Sequence, residues 1–218
     1  MKRILAIDTS HALCTVALTE EILVSSRSSA VPRQHTRELL PMIESLLHER
    51  QMRMQEVDAF ALVIGPGSFT GLRIGAGVVQ GLALATGIPV YCASSLAVMA
   101  TKAHLAHSGA IVNVCLKARE DEVYAATYTF QNGSPVLQGA ERVCAPEALR
   151  FELPGLAVGD GWALCPALPG AQQAQLDYRS DAVTLAAVAL ARARRGEQGV
   201  AATAVLPVYL KDQMDYQA

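Results

Sequence analysis

Two segments of the 218-residue chain hold residue types that could bind a phosphate or a metal. Asp8-Thr9-Ser10 places a carboxylate beside two hydroxyls at the end of an apolar run. Such a trio can hold a hydrated metal or a nucleotide phosphate. The same residue types are also the commonest turn formers, so a plain turn explains them as well. The second segment, Gly65-Pro66-Gly67-Ser68-Phe69-Thr70-Gly71, joins an uninterrupted apolar run to a helical pattern. Its amides, Gly67 among them, could cradle a phosphate at a helix N-terminus. Glycines there serve equally for a tight turn and for close packing of helix on sheet. The loop matches no nucleotide signature. A Walker loop needs a second glycine five residues on, followed by lysine, and counting G-x-G-x-x-G from Gly65 puts Thr70 in the last glycine's place.

Other chemistry is sparse. His104 and His107 lie three apart on one helical face, a spacing that permits metal ligation, but no carboxylate or cysteine joins them nearby. Arg119, Glu122 and Tyr124 could form an ion pair or touch a ligand. Cys14, Cys92, Cys115, Cys144 and Cys165 are odd in number and widely spaced, with no C-x-x-C, so they read as small buried hydrophobes in a reducing compartment rather than as a disulfide frame or zinc site. No Ser-His-Asp order, catalytic carboxylate pair or activated cysteine stands out.

The elements that must carry these residues follow from periodicity. Arg3 to Asp8, Cys14 to Thr19 and Ile22 to Ser28 are β-favouring runs parted by short polar turns, which predicts a meander. Thr36 to Arg50 has Leu39, Leu40, Met42, Ile43, Leu46 and Leu47 within an arc of roughly 160°, an amphipathic helix. Pro41 predicts a regular start between Arg37 and Leu40, because proline is tolerated near a first turn. Ala59 to Gly65 reads as a strand buried on both faces. Leu72 to Thr86 is a helix with polar side chains only at Arg73 and Gln80, so it must be covered all round. Ile88–Cys92 is a further short strand. The pattern then restarts with helix Leu96 to His107, strands Ala110 to Leu116 and Glu122 to Thr129, a turn at Asn132-Gly133, and strand Leu156 to Val158. Ser180 or Asp181 caps a last Ala-rich helix ending at Arg192, Arg194, Arg195 and Gly196. Two α/β lobes are predicted, 1–100 and 101–206, with the tail 207–218 returning to the first.

Composition limits the function. Hydrophobic residues are 51% and charged residues 17%, with mean hydropathy +0.26, which excludes a disordered chain and predicts an apolar surface that a partner covers. Net charge is −2, and the one dense basic cluster is Arg192, Arg194 and Arg195, so the chain does not read as an RNA binder on its own. The apolar run after Lys2 and Arg3 is too short for a signal peptide, and no run is long enough to span a bilayer, which predicts a soluble cytoplasmic protein without membrane contact.

Several segments together resemble the bacterial TsaB (YeaZ) family. They are ILAIDTS at Ile4 to Ser10, QHTRELLPMIESLL at Gln34 to Leu47, GPGSFTGLRIG at Gly65 to Gly75, GLALATGIPV at Gly81 to Val90 and SSLAVMA at Ser94 to Ala100. AR-x-x-EVY at Ala118 to Tyr124, GDG at Gly159 to Gly161 and P-x-YLKD at Pro207 to Asp212 complete the set. The resemblance spans nearly the whole chain, and GPGSFTGLRIG is its most specific part. It implies an actin-like, sugar-kinase-like fold of two ribonuclease-H-like lobes. It also implies a non-catalytic partner of TsaD that, with the ATPase TsaE, helps attach threonylcarbamoyl to adenosine 37 of tRNAs reading ANN codons, with tRNA reached only through the complex. Lys117 departs from the family, which usually has aspartate there. The related catalytic subunit carries N-H-x-x-x-H where this chain has Ser94-Ser95-Leu96-Ala97-Val98-Met99, so neither Ser95 nor Met99 supplies an imidazole.

The expected role is therefore a scaffold without cofactor or metal. Alternatives are a stand-alone actin-fold ATPase or kinase, using Asp8, Thr9, Ser10 and Gly67, and an M22-type metallopeptidase. The two apolar helices are expected to leave a patch that TsaD covers, or a second copy when TsaD is absent, through Leu39, Met42, Ile43, Leu46, Arg73, Ala76, Gly77, Gln80 and Leu84. The two assemblies would exclude one another, and either would bury roughly 1,200–2,000 Å².

Overall fold

The computed structural model describes residues 2–20, 23–29 and 35–210. The predicted meander is present as β1 (Arg3–Asp8), β2 (Cys14–Glu20) and β3 (Leu23–Ser29), antiparallel, with Leu5 opposite Leu18 and Ile7 opposite Val16. Ile22, expected to open the third strand, lies outside the described residues. After α1 (His35–Glu49) the chain enters β4 (Ala59–Gly65), which runs parallel to β1 on its free side. Helix α2 (Phe69–Thr86) then leads to β5 (Val90–Ser94), parallel to β4, giving the order β3-β2-β1-β4-β5.

Alternation assigns the two faces. Leu5, Ile7, Val16, Leu18, Phe60 and Leu62 share one core with the apolar sides of α1 and α2. The intervening residues Ala6, Ala17 and Ala61 lie side by side across three strands. This shallow row admits the Ala-rich α4 (Ala182–Arg194), which packs on β1 and β2 from the other face. Asp181, not Ser180, is its cap, accepting from Thr184 N at 2.7 Å.

A second unit begins at Leu96, inside α3 (Ser95–His107), which packs on a four-stranded sheet of order β8-β7-β6-β9. Its strands are β6 (Ile111–Lys117), β7 (Val123–Gln131), β8 (Ser134–Cys144) and β9 (Leu156–Val158), with β6 and β9 parallel. Both sheets start as an antiparallel meander and add a parallel strand beside the first, the ribonuclease-H-like pattern that the resemblance implies.

Four expectations need correction. Helix α1 begins at His35 and takes Pro41 inside its second turn, because burial of His35 and Leu39 outweighs the hydrogen bond lost at proline. Helix α2 begins at Phe69, three residues before the expected start, because Ser68 caps it by accepting from Gly71 N at 3.2 Å. The 11-residue β8 was not anticipated. The division also differs from 1–100 and 101–206: residues up to Ser95 form one unit with Asp181–Val208, and Leu96–Ser180 with Tyr209 and Leu210 form the other. The apolar face of α4 has its matching surface on the first sheet. Of the tail expected to return, Val208 N–H donates to Ile64 O at 2.8 Å, and residues 211–218 lie outside the described residues.

Candidate functional site

Because β1 and β4 are adjacent and parallel, the segments leaving their carboxyl ends meet at one edge of the sheet, where open α/β sheets place ligands. Asp8-Thr9-Ser10 and the glycine loop are thereby brought together. They fill one another. Ser68 N–H donates to Ser10 O at 2.7 Å, and Thr9 Oγ1 donates to Gly71 O at 2.8 Å. Ser10 closes its own turn, with its backbone N–H and hydroxyl both donating to Asp8 Oδ1, at 2.9 and 2.6 Å. Asp8, Thr9 and Ser10 are all buried.

The glycines are the condition for this contact. A Cβ on Gly67 would lie 2.4 Å from Ser10 O, one on Gly71 2.0 Å from Thr9 O, and one on Gly75 2.3 Å from Thr9 Oγ1. Where a phosphate cradle would open, the protein has placed its own turn. Beside the junction a cleft of 570 Å³ is lined by Ser68, Thr70, Gly71, His11, His35 and Thr36, together with Ala12 and Ile74. Among the described residues no lysine or arginine lines it.

Cys14, on β2 next to this turn, has its thiol pushed up to about 12, chiefly by burial and secondarily by the charges of Asp8 and Glu38. An unfolded thiol ionises near 9.0, so the unfolded chain gives up this proton first. The contribution of Cys14 to stability is whole below pH 9 and is lost as the pH rises towards 12. Between about pH 8 and about pH 10.5, Cys14→Ala should lose roughly 1–2 kcal/mol less urea-denaturation stability than the native chain, because the other thiols raised by burial, Cys92, Cys115 and Cys165, act equally in both. Equal losses in the two proteins would show that this thiol is not responsible.

The residues nominated for a partner surface divide sharply. Leu39, Met42, Ile43 and Leu46 are all buried in the first unit's own core, so their side chains are not available to a partner. Ala76 is buried too, which makes Ala76→Glu a fold-breaking change rather than a probe of assembly. Arg73, Gly77 and Leu84 are exposed, Leu84 at 76%. Gln80 is half-buried and donates to Val205 O at 2.6 Å. Among the described residues, helix α2 is thus covered on its Leu72, Gly75, Ala76, Val79 and Ala83 side and open on the opposite one, not covered all round. The open side extends beyond the nominated residues. Phe69, 54% exposed, holds the Arg73 guanidinium 3.8 Å above its ring, and Gly81 has nothing within 4 Å of its Cβ position. Leu40, exposed at 46%, is the large apolar side chain that α1 leaves outside. The positions 69, 73, 77, 81 and 84, three or four apart, were readable as one helical stripe.

In the second unit, His104 stacks on Phe130 with centroids 3.9 Å apart and bonds Gly109 O at 2.7 Å, while His107 meets Tyr178 OH at 2.8 Å. Arg119 and Glu122 form an ion pair at 3.8 Å. Lys117 N–H donates to Asp160 Oδ1 at 2.8 Å, and Arg179 pairs with the same carboxylate at 3.0 Å. Among the described residues, no group of three His, Cys, Asp or Glu side chains is arranged to hold a metal ion.

Comparison with known proteins bears on this arrangement. The family model described as TsaD, tRNA N6-adenosine threonylcarbamoyltransferase, matches residues 24–164. The tRNA threonylcarbamoyladenosine biosynthesis protein TsaB of Escherichia coli K12 is 38% identical over 76% of this chain and 74% of its own length. The protein of the same name from Haemophilus influenzae is 36% identical, over 73% and 72%. Among solved structures, YeaZ from Pseudomonas aeruginosa superposes with a TM-score of 0.88 at 38% identity, covering 96% of this chain and all of that one.

Proposed function

Because the chain belongs to the TsaB (YeaZ) family, we propose that it serves tRNA threonylcarbamoyladenosine biosynthesis as the non-catalytic partner of TsaD. It binds TsaD as a heterodimer, joins TsaE in a nucleotide-dependent ternary complex, and reaches tRNA only through that assembly. Alone, it pairs with a second copy through the same surface. It needs no cofactor of its own and works in the cytoplasm; among the described residues no helix is long and apolar enough to cross a membrane.

The observation that carries this reading is the side of α2 where, among the described residues, Leu84 is exposed and nothing lies within 4 Å of a Cβ at Gly77 or Gly81. A stand-alone ATPase or kinase is disfavoured because the turn at Asp8 to Ser10 occupies the glycine loop. Metal-assisted transfer or peptide cleavage is disfavoured at the positions that match the catalytic subunit's histidines. Ser95 is buried and its hydroxyl donates to Pro66 O at 2.5 Å, and Met99 is fully buried in the core of the second unit.

The chain alone, given threonylcarbamoyl-adenylate and tRNA, should form no threonylcarbamoyladenosine by mass spectrometry of digested tRNA, and adding TsaD and TsaE should produce it. Product from the chain alone would overturn the assignment. So would sustained ATP turnover by the purified chain that Asp8→Ala abolishes.

A further inference from the structure

Among the described residues of the first unit, the three most exposed large apolar side chains are Leu84 at 76%, Leu206 at 61% and Phe69 at 54%. A single exposed leucine is ordinary on a protein surface, whereas several on one face mark a contact. Phe69 and Leu84 belong to α2. Leu206 comes from the far end of the chain, and the proposed function makes no use of it.

The hydrogen bonds bring Leu206 to the open side of α2. Residues four apart step round a helix by about 40°, so Ala76, Gln80 and Leu84 lead from the covered side to the open one. They are buried, half-buried and exposed in that order. Gln80 thus stands at the border, and its Nε2 donates to Val205 O at 2.6 Å, across 125 residues of sequence. Val205 is fully buried in the first unit's core, so the next residue, Leu206, emerges along this border. The segment is fixed at both ends as well. Val200 exchanges two hydrogen bonds with Val90 of β5, at 2.8 and 2.9 Å, and Val208 N–H donates to Ile64 O of β4 at 2.8 Å. Held by β5, α2 and β4, residues 200–208 present Leu206 from a fixed backbone, which spares a partner the entropy of ordering it.

Resting on the reading that the open side of α2 receives TsaD, we propose that Leu206 is a second-segment contact for TsaD, continuous with that surface. The occupant is a helix with an apolar face. Gly77 and Gly81 let such a helix approach the α2 backbone, and Leu84 and Leu206 meet its flank. Between them, α2 and residues 200–208 hold one charged side chain, Arg73, which is stacked on Phe69. So nearly uncharged a surface fits a protein helix and not a nucleic acid, whose phosphates call for several cations.

The test measures the affinity of TsaD for the full chain by calorimetry, with circular dichroism of each variant. Leu206→Glu is expected to weaken binding roughly 10- to 100-fold, and Leu206→Ser about three- to tenfold, with melting temperatures within about 2–4 °C of the native value. Leu206→Met should bind as the native chain does. The control is Leu23→Ser, at a leucine 53% exposed on β3, the opposite edge of the same sheet, and it should leave the affinity unchanged. Native affinity in folded Leu206→Glu beside weakened binding in Leu84→Glu would overturn the contact at Leu206 and leave the α2 surface standing. Native affinity in both would overturn the two together, and equal weakening by Leu23→Ser and Leu206→Ser would remove the contact at Leu206. A photoreactive p-benzoylphenylalanine in place of Leu206 should cross-link to TsaD in the mixed complex. Capture of a second copy and not of TsaD would give this contact to the homodimer and overturn the proposal.

Discussion

Replacing Gly71 by alanine is expected to cost about 3 kcal/mol and to lower the melting temperature by roughly 6–12 °C in a chain of this length. The added Cβ would sit 2.0 Å from Thr9 O, a backbone atom, so no flexible side chain can yield. Relief requires the turn after β1 to separate from the first turn of α2, which also breaks the bond from Thr9 Oγ1 to Gly71 O. Gly77→Ala is the matched control, six residues on in the same helix. Nothing lies within 4 Å of its Cβ position, so it gains helix propensity and should raise stability by about 0.5–1 kcal/mol. Thermal and urea denaturation followed by circular dichroism distinguish the two. Equal effects at both positions would mean that the close approach of turn and helix is not what the glycine serves.

That pairing also shows where the sequence was informative. The strands β1, β2 and β4 announce themselves by β-branched and apolar runs, and α1 by its period. Strand β8 does not, since its sequence SPVLQGAERVC has a proline, a glycine and three long polar side chains, with no alternation. It is held by pairing along β7, a tertiary cause that a local pattern cannot carry. The turn at Asp8 and the loop at Gly67 each looked like half of a phosphate site because each was read alone. Their mutual occupation depends on β1 and β4 being parallel neighbours, which places two distant segments at one sheet edge.

The burial of the α1 residues expected at a partner surface has a related reason. A helical projection shows how wide an apolar arc is, but not what covers it. Leu39, Met42, Ile43 and Leu46 are the strongest apolar positions of α1, and for that reason the chain's own sheet takes them. What remains outside on α2 is weakly apolar: two glycines, a leucine and a phenylalanine under an arginine. Low side-chain volume is what such a surface offers, because it lets a second helix approach the backbone closely.

Gly77→Trp and Leu84→Glu should therefore abolish assembly by different means while leaving the monomer folded. Both positions are exposed, and among the described residues nothing lies within 4 Å of a Cβ at Gly77, so melting temperatures should stay within about 2–4 °C of the native value. In a complex, the indole would fill the space a partner's helix needs, and the carboxylate would be buried without a counter-charge. Each change is expected to cost about 2–4 kcal/mol of binding, a weakening of roughly 30- to 1,000-fold toward TsaD and toward a second copy alike. Leu39→Ala behaves differently, because its side chain supports the core: it should lower the melting temperature and change TsaD affinity only through unfolding. Light-scattering mass measured with and without TsaD, beside circular dichroism of each variant, separates these outcomes. If folded Gly77→Trp still dimerises and still binds TsaD as the native chain does, the open side of α2 is not the interface. Loss of only one of the two assemblies would show that homodimer and heterodimer use different surfaces.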